Sequence, residues 1–489
     1  MSAASLHQKA VSATFWSAID AFVRQGLQFL VTLFLARILS PRDFGTVGLL
    51  SVFIGLAAVV VDSGFALALV QKKEVSDDEL SSVFLFNLGT SLSVAALLCC
   101  AAPWIAAFYA MPVLEPLTWL LAANLVVGAL GTIQNLLLSR KLNLRRQCII
   151  SLTAQTISGA FAVLLAFRGF GVWSLGIQTL VASILNTLLL WVSSSWRPRL
   201  IFSISAIRSL FRFSSFLLLS SLLDTLFGRI NSLIIGKFYS AEDLGYYSRA
   251  DNTRLIPGAM ISSIITRVAF PFLAASQNDK SYLANGLRRA ATFAMMINFP
   301  LMLGMAVTAP SLVVLLFGEK WSPCVPYLQI LSFAGLLWPL HVLNLSLLTA
   351  LGHSNLFFRI EVVKKVAGIL LLSIASFFGI TAIAWSAVLA GVVAFVLNAH
   401  YSGRLVGYGP WRQVADLVPY ANAALVMCLC TWSITLTPLV SPVMLLAVQI
   451  LVGSLVYVGL CFVCRLPAFI DAWTLLRSLF FHHRARVRA

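Results

Sequence analysis

The sequence predicts an all-α integral membrane protein of about fourteen transmembrane helices, arranged as two six-helix lobes related by a pseudo-two-fold axis along the membrane normal, plus two extra C-terminal helices. Three observations predict it. The chain is 60% hydrophobic and 10% charged, where a soluble domain carries roughly 25% charged residues. Apolar runs of about 20 residues recur from end to end, each long enough at 1.5 Å per residue to cross a hydrocarbon core about 30 Å thick. The sequence also repeats itself. Ala36-Arg-Ile-Leu-Ser-Pro-Arg-Asp-Phe-Gly45 and Gly236-Lys-Phe-Tyr-Ser-Ala-Glu-Asp-Leu-Gly245 each follow an apolar segment, with a cation, Ser, Asp and Gly in one register.

The spans begin near Phe15, Phe44, Ser81, Leu117, Gln147, Gly171, Arg212, Tyr247, Leu287, Val325, Phe357, Gly379, Val414 and Val443. The first carries Asp20 and Arg24 and lacks a small-residue cleavage site, so it reads as a span rather than a signal peptide. The first and seventh are the most polar. Later landmarks pair as well: Ala102-Pro103 with Ala309-Pro310, and Gly169-Phe-Gly-Val-Trp173 with Phe377-Phe-Gly-Ile-Thr381. The offset drifts from 200 to 207 and 208 residues, as changes in loop length after a duplication would make it. Residues 1–200 therefore form an N-terminal lobe of spans 1 to 6 and residues 201–405 a second lobe of spans 7 to 12. Six is even, so both lobes start on the same side of the membrane. Residues 406–466 hold spans 13 and 14, which have no counterpart. Residues 467–489 are too short to span again and read as an interfacial helix with a basic end, held by anionic lipid.

The net charge of +17 suggests nucleic acid until its placement is considered. The clusters Arg140-Lys141-Arg145-Arg146, Arg197-Arg199-Arg208-Arg212, Lys280-Arg288-Arg289, Lys364-Lys365 and Arg484-Arg486-Arg488 recur at every second loop. That is the positive-inside pattern, so the charge is topological and both termini are expected in the cytoplasm. Seven of the eight cysteines fall in spans, and Cys324 falls in an outer loop. Cys461-x-x-Cys464 has redox spacing but lies in an apolar helix with no His or second pair nearby, which favours packing. No cofactor or metal site is expected. No loop exceeds about 20 residues, and no phosphate loop, His-Glu-x-x-His or nucleophile elbow occurs, so the residues offer no enzyme chemistry.

What remains is charge inside the membrane. Asp20 and Arg24 lie in the first span, Asp62 at the inner end of the second, Asp224 and Arg229 in the seventh, Arg254 and Arg267 in the eighth. Each mid-membrane Arg costs about 2.5–3.5 kcal/mol on insertion scales, on the order of 10 kcal/mol for four, unless it faces water, a counter-ion or an anionic substrate. Plainer roles exist. Asp20 and Arg24 form an i, i+4 pair in the favoured order, Arg267 is close enough to the cytoplasmic end to snorkel, and Asp62 can simply hold a helix end. Asp224 stands 200 residues after Arg24, at its pseudo-equivalent position. Guanidinium groups fork onto two phosphate oxygens and stay charged. Arg24, Arg229, Arg254 and Arg267 are therefore the candidate anion-binding set, and Asp20, Asp62 and Asp224 the candidates for ion coupling. Pro257, Pro271, Pro300, Pro310 and Pro339 mark places where spans can kink. His341, in the tenth span, reads as a satisfied polar residue.

Leu244-Gly-Tyr-Tyr-Ser-Arg-Ala-Asp-Asn252, Ile264-Ile-Thr-Arg-Val-Ala-Phe-Pro-Phe-Leu273 and Gln277-Asn-Asp279, with Leu316-Phe-Gly-Glu-Lys-Trp321, Leu328-Gln-Ile-Leu-Ser332 and Leu348-Thr-Ala-Leu-Gly352, resemble the signature of bacterial polysaccharide exporters. Ala36–Gly45 and Asp62-Ser-Gly-Phe65 continue it in the first half. The chain is similar to the Wzx-type flippases, in particular the colanic-acid and teichuronic-acid branch of the multidrug/oligosaccharidyl-lipid/polysaccharide superfamily. The resemblance implies alternating-access transfer of an undecaprenyl-diphosphate-linked oligosaccharide across the bacterial cytoplasmic membrane, with the polysaccharide polymerase and export machinery as partners. A single chain holds both lobes and can act as a monomer. Asp251 departs from the pattern, since relatives often carry an aromatic after Ser-Arg-Ala. Two other readings stand beside this one: a cation-coupled multidrug exporter of the same fold, and a non-transport subunit of a polysaccharide assembly complex. The first would favour acids over arginines in the lobes. The second gives no reason to keep arginine at mid-membrane.

Overall fold

The computed structural model describes residues 23–62, 64–65, 68–69, 72, 75–141, 143–275, 279–436, 441–474 and 477. Asp20 and Gln277-Asn278 lie outside them, as does the basic tail after 477. The described residues are helical almost throughout and contain no strand. The chain divides into two compact units, residues 1–245 and 246–489. The expected lobe boundary at 200/201 follows the sequence repeat, whereas the compact units divide 45 residues later, so the seventh-span helix groups with the first unit.

In the first unit α1 covers residues 23–38. It is followed by α2 (Pro41–Asp62), α3 (Asp77–Phe108), α4 (Leu114–Ala129), α5 (Thr132–Arg140), α6 (Leu144–Phe167), α7 (Val172–Ser193) and α8 (Ile204–Phe238). α9 (Ala241–Ala275) crosses into the second unit. There α10 (Lys280–Phe317), a 3-10 turn (Glu319–Cys324), α11 (Val325–Leu336), α12 (Trp338–Ala350), α13 (Ser354–Ala375), α14 (Ile380–Val406), α15 (Pro410–Ser433) and α16 (Pro442–Val463) follow. Among the described residues, eleven segments are long and apolar enough to span a membrane. The eighth and eleventh expected spans correspond to α9 and α13; the four charges of α13, at Arg359, Glu361, Lys364 and Lys365, keep it out of that set. The first expected span lies partly outside the described residues.

Each unit repeats one packing scheme. In the first, α3 packs on α4, α4 on α7 and α6 on α7; in the second, α10 packs on α11, α11 on α14 and α13 on α14. The fourth and tenth spans are both broken, between Ala129 and Thr132 and at Leu337. Broken helices free carbonyls that cannot be left bare in a membrane. In the first unit Thr187 Oγ1 donates to the Val127 carbonyl (3.0 Å) and Trp191 Nε1 to that of Leu130 (2.8 Å). In the second, Asn298 Nδ2 donates to the Leu336 carbonyl (2.7 Å). Pro339 at the start of α12 accounts for the second break, as the sequence suggests.

The repeated loop motif has one local structure in both copies. Ser40 N and Oγ donate to Asp43 Oδ2 at 2.9 and 2.6 Å, and Asp43 N donates back to Ser40 Oγ at 3.2 Å. Ser240 and Asp243 repeat all three bonds at 3.2, 2.7 and 3.0 Å. This reciprocal cap satisfies the first orphan amides of α2 and α9. The two motifs pack together: a Cβ on Gly45 would strike the Ala241 carbonyl, and one on Gly245 the Pro41 carbonyl. Backbones approach this closely only through glycine.

Spans 13 and 14 are built into the second unit. α15 and α16 pack on α10. Leu417, Tyr420, Met427, Tyr457 and Cys461 join Met295, Phe299 and Leu303 in one core, and Tyr457 Oη donates to the Met296 carbonyl at 2.8 Å. Cys461 is buried and Cys464 exposed, each a free thiol. Residues 467–474 form a short helix in which Phe469 and Trp473 stack.

Candidate functional site

Helix α8 is the least buried candidate span: 6% of the window Leu218–Phe238 is buried, against 22–56% in the other ten. It also carries Asp224 and Arg229, both exposed. Exposed charged groups on a spanning helix do not suit hydrocarbon; they need water or a polar ligand. Arg229 lies along α2. Its Nε would sit 3.0 Å from a Cβ on Gly55, and Thr225 Cγ2 3.3 Å. Gly55 thus leaves a groove for the arginine stem, while the guanidinium end of a long side chain can stay wet. Arg24 is exposed on α1.

Arg254 has a counter-ion on its own helix. Its Nε and Nη2 both reach Asp251 Oδ1, at 2.8 and 2.7 Å. Three residues apart on a helix, the two groups are neighbours, and at 16% and 32% side-chain exposure the pair is partly shielded. The departure at Asp251 therefore supplies Arg254 with a counter-ion. Arg267 lies within α9, and its side chain is outside the described residues.

Sequence reasoning passed over Arg249, which is only 8% exposed. Its guanidinium carbon lies 5.3 Å from the Phe317 ring centroid and 5.4 Å from that of Trp321. Tyr246 meets Trp321 edge-on at 6.0 Å, and its hydroxyl donates to the Lys320 carbonyl at 3.3 Å. Two of the signature stretches, Leu244–Asn252 and Leu316–Trp321, thus pack on each other through a cation over aromatic faces, worth about 2 kcal/mol or more when desolvated. The available signal was the i, i+3 spacing of Tyr246 and Arg249 opposite the Phe317 and Trp321 pair.

Asp62 ends α2 and lines a cavity of about 390 Å³ in the first unit, with α5 and α7 forming its other walls. His341 meets Asn398 Nδ2 at 3.3 Å through Nδ1, and Asn344 and Gln413 exchange amide bonds at 3.1 and 3.0 Å. His341 and Asn344 are thus held in buried polar pairs within the second unit.

A sequence profile described as "Polysaccharide biosynthesis protein" matches residues 34–326, more than half of the chain. The chain belongs to that family. It is 30% identical to the lipopolysaccharide biosynthesis protein WzxC of Escherichia coli, over 74% of each chain. It is 27% identical to the succinoglycan biosynthesis transport protein ExoT of Rhizobium meliloti, over 72% of this chain and 71% of that one. Among solved structures, the lipid II flippase MurJ in an inward closed conformation superposes with a TM-score of 0.75 at 16% identity, covering 92% of this chain and 98% of that one. The family and the eleven candidate spans among the described residues agree on a multi-pass membrane protein of polysaccharide biosynthesis. The expected all-α fold is observed among the described residues, in two compact units and with the fold of that solved structure.

Proposed function

We propose that this protein is a flippase that carries undecaprenyl-diphosphate-linked oligosaccharide from the inner to the outer leaflet of the bacterial cytoplasmic membrane for polysaccharide export. The exposed charges of α8 carry the reading. A transmembrane helix with so little of its surface buried, and with Asp224 and Arg229 on it, fits a wall washed by water and polar cargo. The names of the family relatives point the same way, to polysaccharide biosynthesis and its transport.

In this reading Arg24, Arg229, Arg254 and Arg267 neutralise the diphosphate. Arg254 does so by exchanging Asp251 for phosphate oxygens. Asp20 and Asp224 are the carboxylates through which an ion gradient drives the cycle. Both termini are cytoplasmic, fourteen spans separate them, and the lobes are residues 1–200 and 201–405. One chain suffices for transport, and the polymerase of the same polysaccharide receives the product. The test is transfer of a labelled undecaprenyl-diphosphate oligosaccharide across vesicles holding the purified protein. Transfer above that of empty vesicles supports the reading, and none under any ion gradient overturns it.

A further inference from the structure

The cavity beside Asp62 runs from the break in the fourth span along α5, between the last residue of α2 and the second half of α7. Its polar groups are arranged on helical faces: Thr132, Asn135 and Ser139 recur on one face of α5, and Ser183, Asn186 and Thr187 on one face of α7. Some are already engaged. Thr187 donates to the Val127 carbonyl, and Asn135 Oδ1 accepts from Gln147 Nε2 at 2.7 Å. Asp62, Ser183 and Asn186 make no hydrogen bond or ion pair among the described residues. Arg140 ties the loop after α2 to this end of the unit by donating to the carbonyls of Leu69 and Lys72.

Asp62 is exposed and Ser183 and Asn186 are half-buried; half-buried polar groups without partners are costly unless water or a ligand reaches them, and irregular backbone in a membrane protein is tolerated where it lines a water-filled cavity or a binding site. At about 390 Å³ the space is of ligand-pocket size, and more than ten times the roughly 30 Å³ share of one water. Its chemistry is selective. Asp62 is the single charged side chain in the lining and is negative, so phosphate is repelled. Amides and hydroxyls donate and accept, and the carboxylate accepts, which matches a ligand dense in hydroxyl groups. Ligand pockets for apolar molecules are lined mainly by hydrophobic and aromatic side chains, and this one has Leu136 and Leu190 but no aromatic.

We propose that this cavity is a sugar subsite, in which Asp62, Ser183 and Asn186 hold hydroxyl groups of the oligosaccharide while arginines elsewhere hold the diphosphate. The inference rests on the flippase reading and divides the cargo by chemistry: neutral or amino sugar rings here, the anionic link at the guanidinium groups. It assigns Asp62 to sugar recognition instead of ion coupling. The cavity lies at the chain end of α2 and α5 that carries Arg140-Lys141, the cytoplasmic end by the positive-inside pattern, where lipid-linked cargo is first met.

The test compares two probes on the purified full-length protein: undecaprenyl diphosphate, and the same carrier bearing the oligosaccharide that accumulates in cells deleted for this gene. Wild type should bind the glycosylated probe more tightly. Asp62→Asn and Asn186→Ala should each weaken the glycosylated probe, roughly tenfold for a lost bond to a charged group and less for a neutral one, and leave the bare carrier unchanged. Gly128→Leu should act likewise by filling the space, since only Ser183 Oγ, at 3.7 Å, comes near a Cβ there. Equal loss of both probes marks a structural role and overturns the subsite, as does unchanged affinity for the glycosylated probe in all three variants. Wild type that binds both probes equally overturns the subsite and leaves the flippase standing. Wild type that binds neither overturns the flippase reading itself.

Discussion

Gly45 and Gly245 hold each other's backbone at side-chain distance: a Cβ on Gly45 would lie 3.0 Å from the Gly245 nitrogen, and one on Gly245 3.4 Å from the Gly45 nitrogen. The contact is reciprocal because the two residues end the two copies of one motif. A Cβ on either would also strike the first carbonyl of the other's helix, at Ala241 or Pro41. The duplication read in the sequence is therefore also a packing device, since its two copies touch at these glycines.

Valine at Gly45 or Gly245 should overpack this junction and destabilise the protein by about 1–3 kcal/mol. Since the residues share one contact, the double variant should be less harmful than the sum, with a coupling of about 0.5–3 kcal/mol. Unfolding midpoints of the purified variants in detergent check this. Strict additivity would mean that the glycines act separately.

Topology follows from the alternate-loop charge. Reporter fusions after Arg146 and Arg289 should read cytoplasmic, and fusions near Glu115 and Lys320 periplasmic. Either Arg fusion on the outside breaks the fourteen-span arrangement, because the parity of every later span changes with it.

Much of this was legible in the sequence because a bilayer imposes few solutions. Runs of about 20 apolar residues must be helices, and Ser and Asp three apart before an apolar run must cap one, as Ser40 with Asp43 and Ser240 with Asp243 do. The fate of each charge was harder to read. Asp251 stands three residues before Arg254, so their pairing was available from helix geometry. Arg249 was not, since its burial depends on rings 68 and 72 residues away at Phe317 and Trp321. The cavity at Asp62 needs three separate helices, and no local pattern announces it. The packing of α8 with the first unit depends on its surface match to α2, where Gly55 admits Arg229.

Coupling should run through Asp224. It is an exposed carboxylate on the helix that also bears Arg229, so a coupling cation can reach it. Asp224→Asn should abolish gradient-dependent transfer in vesicles and leave binding of undecaprenyl diphosphate within about twofold, since the substitution keeps shape and removes charge. Full gradient-driven transport by this variant would return Asp224 to a structural role.

The sharpest test concerns phosphate. Arg229→Ala and Arg24→Ala should lose export of polysaccharide in complementation while the protein still inserts, because each removes a guanidinium that a diphosphate can fork onto. Lysine at Arg229 should rescue in part, a point charge replacing a planar fork. Arg254 behaves differently because Asp251 already holds it. Asp251→Asn should free the guanidinium and tighten undecaprenyl diphosphate by up to about fivefold, the worth of a partly exposed ion pair near 1 kcal/mol. Transport should slow in that variant, since tighter ground-state binding retards release, whereas Arg254→Ala should weaken binding and transport together. If Asp251→Asn and Arg254→Ala shift affinity in the same direction, the pair is a helix staple and not a reader of phosphate, and the anion site reduces to Arg24 and Arg229.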